Sequence, residues 1–331
     1  MTIDDIAKEL KVSKSTVSRA LSGKGRIGEE TRQKIKNFAQ EKGFIYRQKP
    51  KTTLGKTRNI GVVIPTDAYT TNIPFFQECL LGISESASVF QYHVVIATGA
   101  FDDISGVHSL VENKKADAII LMRNLQDDKI LKYLTDLHFP TGLVGRCEYD
   151  EVLQVDSDNR GAAESLTSML ITKGYRKFAM IANNMTFRVD KERCNGFYTA
   201  LAKHGLPKEE QLVYTNFGNV ELIDGVINDI IREKVECIIC ADDVLCTRIM
   251  SRMQVEGYRI PMDIAIASLC NSANLNCFSP SVTAVNLSVK QMGNAIGNQM
   301  INYLMGNEYS KKSIVDYEIL FRKSTDILYR E

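Results

Sequence analysis

The residues with the clearest chemistry lie near the N-terminus, where cationic and hydroxyl side chains share one face of a predicted helix. Ser13 can cap this helix, because its hydroxyl can accept from a free backbone N–H. The buried side is predicted at Val17, Ala20 and Leu21, which recur at helical spacing. The opposite side suits a helix lying in the major groove of DNA. Its residues are Lys14, Ser15, Ser18 and Arg19.

Two more short helices must hold this reading helix in place. Thr2 can cap the first, with Asp5 at the position of a capping partner, and Val12 closes the following turn. The third helix is predicted to end at Gly43. Apolar residues at helical spacing supply a shared core, so residues 1–47 are predicted to form a helix-turn-helix domain. They are Ile3, Ile6, Ala7 and Leu10 in the first helix and Ile35, Phe38 and Ala39 in the third.

Charge is distributed unevenly along the 331 residues. Residues 1–59 hold 15 Lys and Arg against 6 Asp and Glu, a net charge of +9. Residues 60–331 hold 26 against 34, a net charge of −8. A basic end on an acidic body is typical of proteins that bind nucleic acid through that end. A basic run can also be a solvated face, and a helix-turn-helix can serve protein contacts, but their coincidence favours DNA binding.

From residue 59 onward, short apolar runs alternate with amphipathic helices. This alternation predicts parallel sheets covered on both faces, and two successive sets predict two similar lobes. Ligands of such sheets bind beyond the carboxyl ends of the strands, here in the cleft between the lobes. The predicted strands are 59–65, 92–97, 118–121 and 141–145, then 177–182, 211–215, 235–241, 264–268 and 282–285, with helices such as 74–90, 160–173, 190–204 and 242–256.

Several classes of protein are disfavoured. The sequence shows no apolar stretch typical of a signal peptide or membrane helix, so a cytoplasmic protein without membrane contact is expected. Cys237 and Cys240 form a CxxC, but inside a predicted buried strand, which favours neither a redox centre nor a zinc site. The four histidines show no catalytic or metal spacing, and phosphate-loop and nucleophile motifs are missing. Neither an enzyme nor a cofactor is expected.

A set of N-terminal residues recurs in one known family: Ala7, Val12, Ser13, the run 16–19, Leu21, Thr31, Arg32 and Gly43. Through these residues, the N-terminal segment resembles the DNA-binding domain of the LacI/GalR family of bacterial repressors. Motifs of the body extend the resemblance over nearly the whole chain. They lie at residues 60–62, 74–76, 116–120, 155–159, 193–197, 241–243 and 260–265.

The resemblance implies a core similar to periplasmic sugar-binding proteins, crossed three times by the chain, near residues 156–161, 284–290 and 316–322. A hinge at 48–58 would join it to the DNA-binding domain. The core would span 59–331, with lobe one at about 59–158 and 286–318 and lobe two at about 159–285 and 319–331.

The resemblance also implies DNA contacts. Lys14, Ser15 and Arg19 would read base edges, with Thr16 on the same helix. In the hinge, Lys51 would contact phosphate. The family's hinge leucine kinks DNA from the minor groove; Leu54 falls two residues after that position, and Pro50 would limit the hinge helix to a short one. Phosphate contacts are expected from Thr2, Ser18 and Thr31.

Candidate effector residues follow the strand ends. Phe75 and Phe76 would wall the cleft, although core packing also explains them. Arg193 is the family's ligand-holding arginine, whose guanidinium suits hydroxyl or carboxylate oxygens; a surface ion pair is the alternative. Asp156 and Asp242 match cleft positions, but either could cap a helix. Asp67 and Arg146 are further candidates.

One departure from the family concerns the effector. Cys270 stands where the family usually has an aspartate that accepts hydrogen bonds, and a thiol is a poor substitute. Either Asn271 takes over, or the ligand is unusual, less hydroxylated or anionic, or the site has decayed.

These observations predict a DNA-binding transcriptional regulator, most simply a repressor and homodimer, controlled by a sugar or related polar metabolite. The operator would be double-stranded and near-palindromic. The alternative is control by a protein partner such as a phosphocarrier. A transport component and an enzyme fit the sequence less well, and the sequence does not distinguish induction from co-repression.

Overall fold

A computed structural model describes residues 3–22, 27–41, 57–65, 74–100, 103–123, 125, 128–215 and 221–326. The chain divides into two compact units, Met1–Thr53 and Leu54–Glu331. Among the described residues, no helix is both long and apolar enough to cross a membrane.

The described residues of the N-terminal unit form three helices, α1 (Ile3–Glu9), α2 (Lys14–Ser22) and α3 (Glu29–Glu41). Ser13 caps α2 as predicted, because its Oγ accepts from the backbone N–H of Thr16 at 3.1 Å. The predicted apolar positions form the core. Ile6, Ala7, Val17, Ala20, Ile35 and Ala39 are buried, with Leu10, Val12, Leu21 and Phe38 packed against them.

The larger unit contains two sheets, each of six described strands, which define its two lobes. The first-lobe strands are β1 (Asn59–Pro65), β2 (His93–Gly99), β3 (Ala118–Leu121), β4 (Thr141–Val144), β5 (Leu153–Ser157) and β11 (Lys312–Val315). The second-lobe strands are β6 (Phe178–Ile181), β7 (Leu212–Tyr214), β8 (Cys237–Cys240), β9 (Ala265–Ser268), β10 (Thr283–Leu287) and β12 (Tyr317–Leu320).

Helices accompany the strands in both lobes. Those of the first lobe are α4 (Pro74–Val89), α5 (Ser105–Glu112), α6 (Lys129–Asp136) and α12 (Val289–Met305). Those of the second are α7 (Asn159–Thr172), α8 (Arg188–Lys203), α9 (Glu221–Arg232), α10 (Asp243–Val255) and α11 (Ala273–Cys277).

The strand orders are β11-β5-β4-β3-β1-β2 and β12-β10-β9-β8-β6-β7. All described pairings of the first sheet are parallel. The prediction of parallel sheets is confirmed, with one antiparallel pair at an edge of the second sheet, where β12 pairs with β10. The reason is the short connection between the sheets, because β12 follows β11 of the first sheet after a single residue, Asp316. A parallel β12 would need a longer connection that returns to the other end of the second sheet.

The chain passes between the lobes after β5, after β10 and after β11. These points fall within the three segments that the family resemblance implies. Strands β5, β11 and β12 were not predicted, because polar residues interrupt each of them and none contains a continuous apolar run. The last crossing lies at Asp316, between β11 and β12.

Two local contacts stabilise the first lobe, and the first of them explains the family motif at residues 116–120. Asp117 anchors the chain where it enters the core, because its carboxylate accepts from the backbone N–H groups of Thr57 and Arg58, each at 2.9 Å. Helices α4 and α12 pack closely because Gly82 and Gly293 face each other's backbone, where a Cβ atom would overlap a carbonyl oxygen. Ser86 Oγ reinforces this crossing by donating to the carbonyl oxygen of Asn294 at 3.0 Å.

The cysteines carry no disulfide among the described residues, and both members of the CxxC are buried on β8. No group of histidine, cysteine or carboxylate side chains in the described parts of the chain could hold a metal ion.

Candidate functional site

The predicted DNA-reading face of α2 is exposed to solvent. Lys14, Ser15 and Arg19 are exposed, while Val17 and Ala20 on the opposite side are buried. This division follows from the helical period, which separates a core-facing stripe from a polar one. Ser18, Thr16 and Thr31 are half-buried.

Thr16, which lies on the same helix as this face, also stabilises the start of α2. Its Oγ1 hydrogen bonds to Ser13 Oγ at 2.7 Å, so the hydroxyl supports the first turn of α2. The other predicted DNA contacts, Thr2, Lys51 and Leu54, lie outside the described residues, as does the effector candidate Asp67.

A cavity of about 1170 Å³, which includes open solvent at its mouth, lies between the two lobes. Its lining residues come from the carboxyl ends of strands in both sheets, because parallel strands direct those ends to the same edge. The structure brings seven of the predicted effector residues into this lining: Phe75, Phe76, Arg146, Asp156, Arg193, Asp242 and Cys270.

Two aromatic rings form one wall. Phe75 and Phe76 begin α4, and their rings meet edge to face with centroids 5.5 Å apart. Phe76 is buried and Phe75 half-buried, so the pair both packs and lines the cavity. An exposed aromatic face can stack on the apolar side of a sugar ring.

Arg193 is held rigidly in the lining. The side chain is only 7% exposed, and its Nη1 donates to the carbonyl oxygen of Ala241 at 2.7 Å. Its helix α8 approaches α7 closely because Gly196 faces the carbonyl oxygen of Arg160, where a Cβ atom would not fit. The arginine and glycine of the family motif therefore act together, the glycine by bringing α8 into place.

Arg146 and Asp156 form an ion pair across neighbouring strand ends, with Nε 3.4 Å from Oδ2. The other carboxylate oxygen accepts from the backbone N–H of Ser157 at 2.8 Å. Burial raises the pKa of Asp156, while the hydrogen bond from Ser157 and the Arg146 and Arg193 guanidiniums oppose the rise. The residue that caps α7 is Asp158, whose Oδ1 accepts from the backbone N–H of Gly161.

Asp242 lines the cavity and also caps a helix. Its Oδ1 accepts from the backbone N–H of Leu245 at 2.9 Å, the capping bond of α10. Its Oδ2 accepts from Nδ2 of Asn183. Both interpretations of this residue from the sequence thus apply to one side chain.

Of the neighbouring residues Cys270 and Asn271, only the first lines the cavity. Cys270 lines the cavity, and burial raises the pKa of its thiol to about 12, so the neutral thiol faces any ligand. Asn271 is not among the lining residues. Its Nδ2 donates to Asn286 and its Oδ1 accepts from Arg322, at 3.2 and 2.9 Å, so its amide is engaged away from the lining.

Several lining residues were missed by sequence reasoning. Arg123 and Asn183 follow β3 and β6 by two residues, so counting onward from each predicted strand end would have found them. Asp190 in the first turn of α8 gave no such signal. The pKa of Asp190 is raised to about 6, chiefly by burial, with Arg193 opposing the rise and Asp242 adding to it. Other missed residues are Ser157, Phe187, Arg188 and Glu192.

One contact joins the lobes at this cavity. The guanidinium of Arg123, in the first lobe, lies 4.6 Å from the ring centroid of Phe187, in the second. Leu125 and Phe187 also form an isolated antiparallel bridge. We call these contacts the interlobe latch; they require the lobes to be close together.

Comparison with known proteins identifies the family. The model of bacterial regulatory proteins of the lacI family matches residues 2–46, and that of periplasmic binding proteins and the sugar binding domain of the LacI family matches residues 57–323. The chain belongs to the LacI family. It is thus a DNA-binding transcriptional regulator rather than an enzyme.

Individual LacI-family relatives are moderately similar to this chain. The HTH-type transcriptional regulator MalR of Staphylococcus xylosus is 30% identical, with 98% of each sequence covered. A solved structure of a probable maltose operon transcriptional repressor from Staphylococcus aureus is 26% identical, covers 82% of this chain and 99% of that one, and gives a TM-score of 0.76. A CelR–cellobiose complex, 22% identical, shares the fold, with a TM-score of 0.73 over 98% of this chain and 99% of that one.

Proposed function

We propose that this LacI-family regulator is a repressor whose affinity for its operator is controlled by a small polar metabolite bound between the core lobes. The observation that carries the proposal is the cavity at the strand ends. There, Arg193, Asp156 and the Phe75 ring combine charged hydrogen-bonding groups with an apolar wall. Such a combination is typical of sites for small polar ligands.

The names of relatives support a carbohydrate as the effector class. One relative is a probable repressor of a maltose operon, and one structural neighbour was solved with cellobiose. The proposed effector is therefore a sugar or a related polyhydroxylated molecule. Its binding would change operator affinity only as far as it favours one arrangement of the lobes over another.

On DNA, we propose that Lys14, Ser15 and Arg19 read base edges, with Ser18 and Thr31 close to phosphates. The exposure of the first three on α2 supports this assignment. Two such helices would occupy successive major grooves of a near-palindromic site, which requires a homodimer. Exposed apolar side chains on the first lobe support self-association, and sedimentation velocity would test it. They are Leu81 and Val89 on α4 and Ile96 on β2.

The experiment is selection of genomic DNA fragments by the purified protein at near-physiological salt, followed by sequencing. An enriched pseudo-palindrome would support a sequence-specific regulator, whose proposed place is the cytoplasm at the nucleoid, and neighbouring genes would indicate the effector class. Salt-sensitive binding without enrichment, both with and without added cell-extract metabolites, would contradict the proposal. Enrichment that responds only to a phosphocarrier protein would favour the alternative of a protein partner.

A further inference from the structure

A short segment that links β6 to α8 takes part in the contact between the lobes. We call this segment, residues 183–187, the strap. It ends at Phe187, whose ring lies beneath the guanidinium of Arg123 and whose backbone forms the isolated bridge with Leu125. The interlobe latch therefore holds the strap at its C-terminal end.

A buried carboxylate holds the other part of the strap. Asp190, in the first turn of α8, is 2% exposed, and its Oδ2 accepts from the backbone N–H of Asn184 at 3.1 Å. The carbonyl oxygen of Asn184 accepts from the backbone N–H of Phe187, and its Oδ1 accepts from that of Thr186, each at 2.9 Å. Because the strap folds onto Asp190 in this way, the contacts that hold Phe187 also keep Asp190 covered.

Asp190 lies among charged groups of both lobes. Burial raises the pKa of its carboxyl to about 6; Arg193 opposes the rise, Asp242 adds to it, and backbone N–H groups of the strap oppose it. Cys194 on α8 is a further ionisable neighbour. The other charged lining residues are Arg188 and Glu192 on α8, Asp158 and Arg160 near the start of α7, and Arg123, Arg146 and Asp156 of the first lobe. None of the four histidines is among the lining residues that the structure describes, so a carboxyl rather than an imidazole would respond there to pH.

Opening of the lobes would change the surroundings of Asp190. Separation breaks the interlobe latch, releases the strap and admits water to the cavity lining, of which Asp190 is a part. Hydration favours the charged form of a carboxyl, so the pKa of Asp190 would fall toward about 3.9, the value of an aspartate in water. The closed arrangement therefore binds a proton more tightly than the open one, and by linkage the proton favours closure.

We infer that Asp190 couples closure of the core lobes to proton uptake, so that acidification favours the closed arrangement by removing a buried charge from beneath the strap. The inference names a regulation of the effector site, and it rests on the proposed function for its effect on the operator. An effector that binds the closed arrangement would bind more tightly in acid, and its binding would take up protons from solution. No atom of the effector has to touch Asp190 for this coupling.

The test follows closure of the ligand-free, full-length protein with one fluorescent residue. The chain contains no tryptophan, so Phe187→Trp places a single indole at the interlobe latch, and a guanidinium can lie over an indole as it does over a phenyl ring. Acrylamide should quench its emission less in the closed arrangement, because the ring is covered. We expect quenching to decrease from pH 7.5 to pH 5, as the ratio of closed to open protein rises by up to about tenfold, the limit that pKa values of about 6 and 3.9 allow.

Asp190→Asn in the same reporter protein should remove the pH response and keep quenching low at both pH values. Asparagine carries no charge, and its Oδ1 can still accept from Asn184, so the variant is expected to fold. The matched control is Asp243→Asn. Burial raises the pKa of Asp243 to about 6 as well, and this residue is equally buried, but it is not among the lining residues. The control variant should keep the pH response.

Two results would overturn the inference: quenching that is unchanged or stronger at pH 5, or an unaltered pH response in Asp190→Asn. If Asp190→Asn fails to fold, small-angle scattering by wild type and Asp243→Asn decides. A radius of gyration that decreases at pH 5 in both proteins supports the coupling, and one that does not decrease contradicts it. These measurements need neither operator nor effector. Failure to find an operator would therefore refute the regulator proposal without affecting the proton coupling, and loss of the coupling would leave DNA regulation standing.

Discussion

At the scale of single residues, the sequence predicted several of the side chains that line the cavity, but it did not predict which of them hydrogen bond to one another. Arg193 and Asp156 were expected in the effector cleft and line the cavity, because motif positions mark strand ends and helix starts. Asn183 was not expected, because an asparagine after an apolar strand resembles any loop residue. The orientation of its amide depends on Asp242, 59 positions later, and such distant pairing is not visible in local patterns.

Arg19 is expected to determine base specificity. If its guanidinium pairs with a guanine, Arg19→Ala should weaken operator binding by about 1–3 kcal/mol and affect random DNA far less. Fluorescence anisotropy titrations with operator and scrambled duplexes would measure both affinities. Lys34→Ala, which removes an exposed charge on α3, is the control for general electrostatics. Equal losses on both duplexes in Arg19→Ala would show that Arg19 contacts only phosphate.

Asp190 should make stability depend on pH. Burial raises its pKa to about 6, against about 3.9 for an aspartate in an unfolded chain. The folded protein therefore binds more protons between these values. The stabilisation that comes from protonating Asp190 in the folded protein is fully present below about pH 4 and is lost as the pH rises through about 6.

Asp190→Asn should remove this share of the pH dependence. The difference in the free energy of unfolding between about pH 4 and pH 7 should change by up to about 3 kcal/mol relative to wild type. Urea unfolding at both pH values would measure it. Asp243, whose pKa burial also raises to about 6, would retain its own share in this variant. Identical pH dependence in the two proteins would contradict the assignment.

At the scale of elements, the long periodic helices and central strands were predictable, whereas the edges were not. Strands such as β1 and β3 are buried apolar runs that are recognisable from sequence alone. The short strand β12 depends on pairing with β10, and its sequence, Tyr-Glu-Ile-Leu, has no signature of its own. The close crossing of α4 and α12 likewise involves glycines more than 200 positions apart, Gly82 and Gly293.

Gly293 should be intolerant of a side chain. Its Cβ would overlap the carbonyl oxygen of Cys79 in α4, and neither helix backbone can yield cheaply. Gly293→Ala is therefore expected to lower the free energy of unfolding by about 1–3 kcal/mol, despite the better helix propensity of alanine. Gly225→Ala is the matched control, because nothing described lies near its Cβ on α9. Chemical denaturation would distinguish them, and equal stability would contradict the crossing.

At the scale of the whole molecule, closure of the lobes is the event that would connect the effector to DNA. The interlobe latch brings Arg123 of one lobe onto Phe187 of the other, beside the cavity. Such a contact can form only in a closed arrangement, so it stabilises that arrangement and favours any ligand that binds to it. The sequence indicated two lobes and a cleft but not this contact, since Arg123 and Phe187 fall outside the predicted elements.

Arg123→Ala should shift the lobes toward separation. A cation–π contact contributes about 0.5–2 kcal/mol, so the closed population and the affinity for a neutral carbohydrate should both fall, the latter by about two- to thirtyfold. Small-angle scattering and calorimetry would measure these effects, with exposed Arg160→Ala as a control at the same cavity. A variant with unchanged affinity would show that the latch does not stabilise closure.

The central claim is that a molecule in the interlobe cavity changes the affinity of the protein for its operator. The most direct test is an anisotropy titration of the selected operator, with and without a saturating neutral carbohydrate, for wild type and Arg193→Met. We expect the ligand to change wild-type affinity by about 5- to 150-fold. The variant should bind operator normally and lose the response. An identical response in Arg193→Met, or none in wild type despite carbohydrate binding, would contradict the account.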